Sequence, residues 1–161
     1  MNKKFIIIIP ARRGSKRFPG KNHKKIGGKN LLKLKLEQCM HKNLGDIVVS
    51  SDDPKILQNA KTLGVKYLRE RPAKISGDVS TTSVVYDAVT YYEKITKSKI
   101  DFFVLSQLTS PFITYKDFEE TTDFFHKNKK FNSLISCKSD DFNRFFWYFF
   151  EDNDNNSFNL S

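Results

Sequence analysis

Cysteine is scarce in this chain: Cys39 and Cys137 are far apart, each in an apolar setting. No Cys-x-x-Cys pair or His spacing accompanies them, so a disulfide framework and a zinc ribbon are both excluded. The expected state is two buried free thiols. Only three histidines occur, His23, His41 and His126, scattered and without a chemical role. No run approaches the roughly 18 apolar residues a membrane span needs, and Met1-Asn2-Lys3-Lys4-Phe5 leads into a short apolar run without a small-residue cleavage site. The expectation is a soluble, cytoplasmic chain without membrane contact. Acidic residues are also in deficit, with 18 Asp and Glu against 28 Lys and Arg and a formal net charge of +10. That balance favours an anionic ligand without choosing among nucleotide, nucleic acid and membrane surface. Many lysines, as in Lys33-Leu34-Lys35-Leu36, read as a solvated helix surface.

What the sequence does have is a strand that ends in a cationic loop. Phe5 to Ile9 shows no polar alternation, as expected of a central parallel strand covered on both faces. Pro10, lacking a backbone donor, stops the ladder. Arg12, Arg13, Lys16, Arg17 and Lys21 then place five positive charges within ten residues, with Gly14 and Gly20 relaxing the backbone. Such a loop can wrap phosphate oxygens. It is neither Gly-x-Gly-x-x-Gly nor the phosphate loop that closes on Gly-Lys-Ser/Thr.

The rest alternates between helix and strand. The pattern predicts a helix over Leu31 to Met40, with Leu32, Leu36 and Met40 as its stripe, and a strand over Asp46 to Ser51. Asp52, Asp53 and Pro54 open a helix that buries Ile56, Leu57, Ala60 and Leu63 and ends at Gly64. Val65 to Leu68 is extended, Ser80 to Ser83 can cap a helix reaching about Ile95, and Asp101 to Ser106 is a strand running into Gln107-Leu108-Thr109-Ser110-Pro111. A helix from Tyr115 to Lys127 and a strand over Ser133 to Cys137 complete the series. The order implies an α/β fold, three layers with a mostly parallel sheet, Rossmann-like, whose ligand site lies beyond the carboxyl ends of the strands. Phe142 to Phe150 is strongly aromatic and must be covered, whereas Glu151 to Ser161 is Asn/Asp-rich and reads as poorly ordered.

Five short motifs in this order carry a resemblance. They are Ile9-Pro10-Ala11-Arg12-x-Gly14-Ser15-Lys16 with Pro19-Gly20-Lys21-Asn22; Gly27-Gly28-Lys29; Val49-Ser50-Ser51-Asp52-Asp53; Arg71-Pro72-Ala73 with Asp78; and Gln107-x-Thr109-Ser110-Pro111. In these the chain resembles the acylneuraminate cytidylyltransferases, the CMP-sialic acid synthetase family, over about Lys4 to Cys137. The resemblance implies a nucleotide-diphospho-sugar transferase fold and transfer of CMP from CTP to the anomeric hydroxyl of a sialic-acid-like nonulosonic acid, releasing pyrophosphate. It further implies that Arg12, Ser15, Lys16 and Lys21 hold the triphosphate, with Arg12 and Lys21 catalytic and Lys21 nearest the reacting phosphate. Asn22 would contact the nucleoside, Arg71 would be a second clamp on the nucleotide, and Thr82 and Ser83 would lie near the base or ribose. Gln107, Thr109 and Ser110 would approach the nucleotide and the acceptor sugar.

Residue by residue, blander readings stand beside these: an exposed arginine at 71, helix capping at 82 and 83, turn chemistry at 107 to 110, and capping by Asp52 and Asp53. The sequence departs from the family at Arg13, commonly glycine, at Leu108, commonly proline, and at Ile113, often arginine. Mg²⁺ is implied as cofactor, held by an Asp-x-Asp segment that the resembled proteins carry beyond the region matched here. The expected organisation is a nucleotide-binding core over 1–138 and, over 139–161, the start of a dimerisation and sugar-binding half, so a homodimer is expected. Sialic, legionaminic, pseudaminic and 3-deoxy-octulosonic acids remain open as acceptors, with Lys21-Asn22 leaning towards the nine-carbon acids. Two other readings remain: an inactive CTP-binding remnant and, behind it, a nucleic-acid-binding module resting on net charge and the aromatics.

Overall fold

The computed structural model describes residues 4–14, 20–41, 44–77, 79–128, 132–135, 149–152 and 157–160. They fall into two compact units, Met1–Glu119 and Glu120–Ser161.

The first unit is built on four parallel strands. β1 (Phe5–Pro10), β4 (Asp46–Ser51), β5 (Tyr67–Glu70) and β6 (Phe102–Leu105) lie in the order β5-β4-β1-β6, while β2 (Lys25–Ile26) and β3 (Lys29–Asn30) form a separate antiparallel pair. Ile8 sits opposite Val48 on one side and Leu105 on the other, so β1 is central. Its four isoleucines, Ile6 to Ile9, are fully buried because alternate residues feed opposite faces. Ile7 and Ile9 join Leu32, Leu36 and Cys39 of α1 (Leu31–Cys39), Ile56 and Ala60 of α2 (Pro54–Thr62) and Phe118 of α4 (Tyr115–Lys127). Ile6 and Ile8 join Val85, Ala88 and Tyr92 of α3 (Thr81–Thr96). This is the α/β/α three-layer arrangement the alternation predicts.

Since β1 is followed in the sheet by β4 on one side and β6 on the other, the chain reverses direction across the sheet at the β1/β6 boundary. Ligands of such sheets settle outside the carboxyl ends at that switch point. All four strands are parallel, so Ala11-Arg12, Ser50 to Asp53, Arg71 and Gln107 to Ser110 emerge along one edge.

The expected helices agree closely with those observed, and α4 spans Tyr115–Lys127 as anticipated. Three expectations need correction. Extended structure after α2 begins at Tyr67 rather than Val65, because Gly64, at φ 90°, turns the chain and the Val65 amide still caps the helix by donating to Ala60 O at 3.0 Å. Ser133 to Ile135 form no strand; Ser136 and Cys137 lie outside the described residues. Nor does the ladder stop at Pro10, which pairs with Ser50 while the Ala11 amide carries the register on. Strand β8 (Ser157–Leu160) pairs antiparallel with β7 (Phe149–Asp152), and residues 153–156 and 161 lie outside the described residues. Residues 142–148 of the aromatic segment lie outside the described residues. Among the described residues, no helix is long and apolar enough to cross a membrane.

Candidate functional site

The edge of the sheet is tied together by side chains as well as by the ladder. Ser50 O accepts the Ala11 amide at 2.9 Å, continuing the β1/β4 register past Pro10. Buried Ser51 donates from Oγ to Ala11 O at 2.5 Å, and its Oγ accepts the Asp53 amide at 3.0 Å. The Arg13 amide donates to Asp52 Oδ1 at 2.7 Å. The loop after β1 is therefore pinned to the end of β4 through its backbone.

Arg71 is buried, only 7 % exposed, so the reading of an exposed arginine before Pro72 is overturned. Its Nε donates to Ser50 Oγ at 3.0 Å and its Nη2 to Ser50 O at 2.9 Å. Burial pulls the guanidinium below its ordinary pKa; Asp52 pushes it back up, and the charge of Arg12 pulls it further down. The carboxyl edge thus brings a buried guanidinium and a second arginine within electrostatic reach of one another, with Asp52 offsetting part of their charge.

Gly20, at φ 67°, adopts the left-handed conformation and opens a short 3-10 turn, Lys21–His23. Lys21 is partly buried and, among the described residues, pairs with no carboxylate. Asn22 is 7 % exposed, and its Nδ2 donates to Arg12 O at 2.8 Å. Its Oδ1 is buried without a hydrogen-bond partner among the described residues. A buried acceptor beside a cationic loop is suited to a donor on a ligand, since leaving it unmade costs about 1–3 kcal/mol. Ser15 and Lys16 lie outside the described residues, as does Asp78.

His23, which sequence reasoning passed over, joins the site's frame: its Nε2 lies 2.9 Å from Asp53 Oδ2. Asp53 also caps α2 by accepting the Lys55 amide at 2.9 Å, as its place before Pro54 suggests. Burial raises the Asp53 pKa, but the hydrogen bonds from His23 and from the Lys55 and Ile56 amides outweigh it and hold the carboxyl below its ordinary value.

α3 begins at the same edge, because it follows β5 through the Arg71 to Ser80 loop and reaches the amino end of β4, where Tyr92 donates to Asp46. The bidentate Arg69–Asp87 pair, at 2.7 and 2.8 Å, fixes the helix to β5. Ser80 is the N-cap, accepting the Ser83 amide at 3.2 Å, and Ser83 returns a hydroxyl contact at 2.9 Å. Thr82 and Ser83 are exposed in the first turn. Across the switch point, Gln107 and Thr109 are exposed and Thr109 Oγ1 donates to Gln107 Oε1 at 3.2 Å, while the Ser110 amide bonds Gln107 O at 3.3 Å. The departures at 108 and 113 are packing choices: Leu108 is 3 % exposed in the core, and Ile113 packs against the same cluster.

One reading of the lysines is wrong in detail. Lys33 is exposed, but Lys35 is fully buried, because α1 buries 32, 35, 36 and 39, a stripe at helical spacing in which Lys35 takes an apolar place. Only its position within that stripe signalled it.

Among the described residues, no group of three or more His, Cys, Asp or Glu is arranged to hold a metal ion. Of the two carboxylates at the end of β4, Asp53 is spent on His23 and the α2 cap, and Asp52 accepts from Arg13. The described residues of this edge do not fit a protein-held Mg²⁺, and no chemical step is assigned to one.

Comparison with known proteins agrees with this geometry. The 3-deoxy-manno-octulosonate cytidylyltransferase of Pseudomonas syringae pv. tomato is 38% identical over 77 residues, 48% of this chain and 30% of that protein. The pseudaminic acid cytidylyltransferase of Campylobacter jejuni is 40% identical over 88 residues, 53% of this chain and 38% of that protein. The matched part thus spans little more than a third of these relatives at most. Among solved structures, CMP:2-keto-3-deoxy-manno-octonic acid synthetase complexed with CTP superposes with a TM-score of 0.60 at 26% identity, covering 78% of this chain and 48% of that one. A cytidylyltransferase from Leptospira borgpetersenii gives 0.59 at 26%, covering 80% and 51%. The sequence model of the cytidylyltransferase family matches residues 6–129, from the first buried isoleucine of β1 to just past α4, and the chain belongs to that family.

Proposed function

We propose that the chain carries the CTP-binding half of an enzyme that transfers CMP from CTP to the anomeric hydroxyl of a 2-keto-3-deoxy sugar acid, releasing pyrophosphate. The observation that carries this reading is the buried Arg71 guanidinium held at the carboxyl edge of the sheet, on the same edge as the cationic loop that follows β1, in a chain of the cytidylyltransferase family.

In-line attack of the hydroxyl oxygen on the α-phosphorus makes one P–O bond and breaks the bond to the β-phosphate. Negative charge grows on the non-bridging oxygens and on the leaving pyrophosphate. Fixed cations aimed at those oxygens are the main means of lowering such a barrier. In this reading Arg12, Lys16 and Lys21 neutralise the triphosphate with Ser15 as a hydroxyl donor, and Lys21 faces the reacting phosphate. Asn22 takes a nucleoside donor on its unsatisfied Oδ1, Arg71 holds the nucleotide from the β5 side, and Thr82 and Ser83 lie along the base or ribose. Gln107, Thr109 and Ser110, across the switch point, receive the acid.

The acceptor is proposed to be an eight- or nine-carbon acid, sialic-acid-like in the wider sense. That rests on relatives named for 3-deoxy-manno-octulosonate and for pseudaminic acid. Incubating the 161-residue chain with CTP, Mg²⁺ and 3-deoxy-manno-octulosonate, pseudaminic acid or N-acetylneuraminic acid, with mass detection of the CMP-sugar and of pyrophosphate, tests it. A CMP-sugar from one of the acids supports the reading; turnover of CTP to CMP that ignores every acid overturns it.

A further inference from the structure

Lys35 is fully buried on α1, and its Nζ donates to the backbone carbonyl of Ser110 at 2.7 Å. The ammonium lies 5.8 Å from the centroid of the Phe118 ring, and no carboxylate pairs with it among the described residues. One turn further along the same face, Gln38 Nε2 donates to Pro111 O at 2.6 Å, while its Oε1 is buried without a partner among the described residues. Beside it, Cys39 Sγ lies 4.0 Å from Ser106 Oγ. Three inward positions of one helix therefore hold the chain that leaves β6 from behind.

A buried ammonium without a carboxylate is unfavourable, and burial pulls the Lys35 pKa below its ordinary value. Methionine or leucine would fill the same place in an apolar stripe at no such penalty. What the lysine adds is a strong donor on one carbonyl, the one that joins Ser110 to Pro111. That bond and its neighbour from Gln38 fix both peptide planes at the end of the Gln107 to Ser110 segment, in which Gln107 and Thr109 are exposed. The segment lines the β6 side of the switch-point crevice, opposite the Arg12 and Arg71 side to which the nucleotide is assigned.

We propose that Lys35, with Gln38, is a positioning residue: it holds the Gln107 to Ser110 loop in the conformation that receives the acceptor acid. This inference rests on the proposed function for the identity of the two substrates.

The test separates the two. With the full chain and a CTP analogue whose α,β-bridging oxygen is replaced by methylene, calorimetry gives the nucleotide affinity. Titrating 3-deoxy-manno-octulosonate or pseudaminic acid into the nucleotide complex, with hydrogen exchange of the 107–114 amides as readout, gives the acceptor affinity. Lys35→Met is expected to leave the nucleotide affinity unchanged and to weaken acceptor binding about ten- to hundredfold, the scale on which small misplacements act. Gln38→Leu is expected to do the same to a smaller degree, and serves if Lys35→Met does not fold. Equal losses for both ligands, or no loss for either, would overturn the proposal. So would a wild type that binds the nucleotide but neither acid, which would leave the nucleotide reading standing. A wild type that fails to bind the nucleotide would bring down the proposed function and this inference with it.

Discussion

Arg71 grips Ser50 with two nitrogens, Nε on the hydroxyl at 3.0 Å and Nη2 on the carbonyl at 2.9 Å, and that carbonyl also accepts the Ala11 amide. One peptide group thus joins the end of β1, the end of β4 and the residue after β5. The proposed nucleotide clamp is also a structural tie.

Arg71→Lys keeps the charge but loses the planar two-point grip, so it is expected to lower stability by about 1–3 kcal/mol, the range for a buried hydrogen bond left partly unmade. CTP affinity should fall with it. Ser50→Ala should reproduce most of the stability loss and less of the affinity loss. Denaturant melts and calorimetry on both variants check this; an Arg71→Lys protein as stable as wild type would contradict it.

Lys21 behaves differently. It pairs with no carboxylate among the described residues, so Lys21→Ala should leave the melting temperature unchanged. CTP binding should weaken by about 1.5–3 kcal/mol, as for loss of a charge-assisted hydrogen bond. Calorimetry showing equal affinities would remove Lys21 from the site.

The His23–Asp53 pair predicts an acid limb in stability. Asp53 is held below its unfolded value of 3.8, so the unfolded chain binds the proton first as pH falls. Its contribution is complete above the unfolded value and is lost as pH drops through the lower folded one. Asp53→Ala should therefore lose about 0.5–2 kcal/mol at neutral pH, chiefly the α2 cap, and flatten the stability curve below about pH 4. An unchanged acid limb in urea melts would contradict the pairing.

Cys39 is fully buried, and burial pushes its thiol up to about 11, with Lys35 and Ser106 pulling it partly back. In the native chain near neutral pH it should resist alkylation and react only in denaturant. Peptide mass mapping after iodoacetamide checks this, and rapid native labelling would show the α1 face to be open.

The sheet and its edge were legible because their signals are local. Ile6 to Ile9 run without a polar residue among them, Gly64 punctuates, and Asp53-Pro54 spells a helix start, whereas Pro10 did not end the ladder because its carbonyl side still allows pairing with β4. Arg12, Lys21 and Asn22 could be placed beyond β1 for the same reason. What was not legible depends on contacts between residues distant in the chain. Lys35 looks like its neighbour Lys33 until α1 is docked on the sheet and the Ser110 carbonyl lies beneath it. His23 needs Asp53 from another strand end, and burial of Arg71 needs Ser50. Ser133 to Ile135 carry strand-like residues yet form no strand, so an apolar run did not by itself establish a ladder partner.

The central claim is that the β1 loop and its neighbours form a site for CTP and not a general anion surface. Titrating the 161-residue chain with CTP, UTP, ATP and GTP at two salt concentrations tests it most directly, with Arg12→Ala as control. The account predicts saturable one-to-one CTP binding, tighter than ATP or GTP by about tenfold or more, which is about 1.4 kcal/mol, and lost in Arg12→Ala. Equal affinity for all four nucleotides, falling together with added salt and indifferent to Arg12, would contradict it.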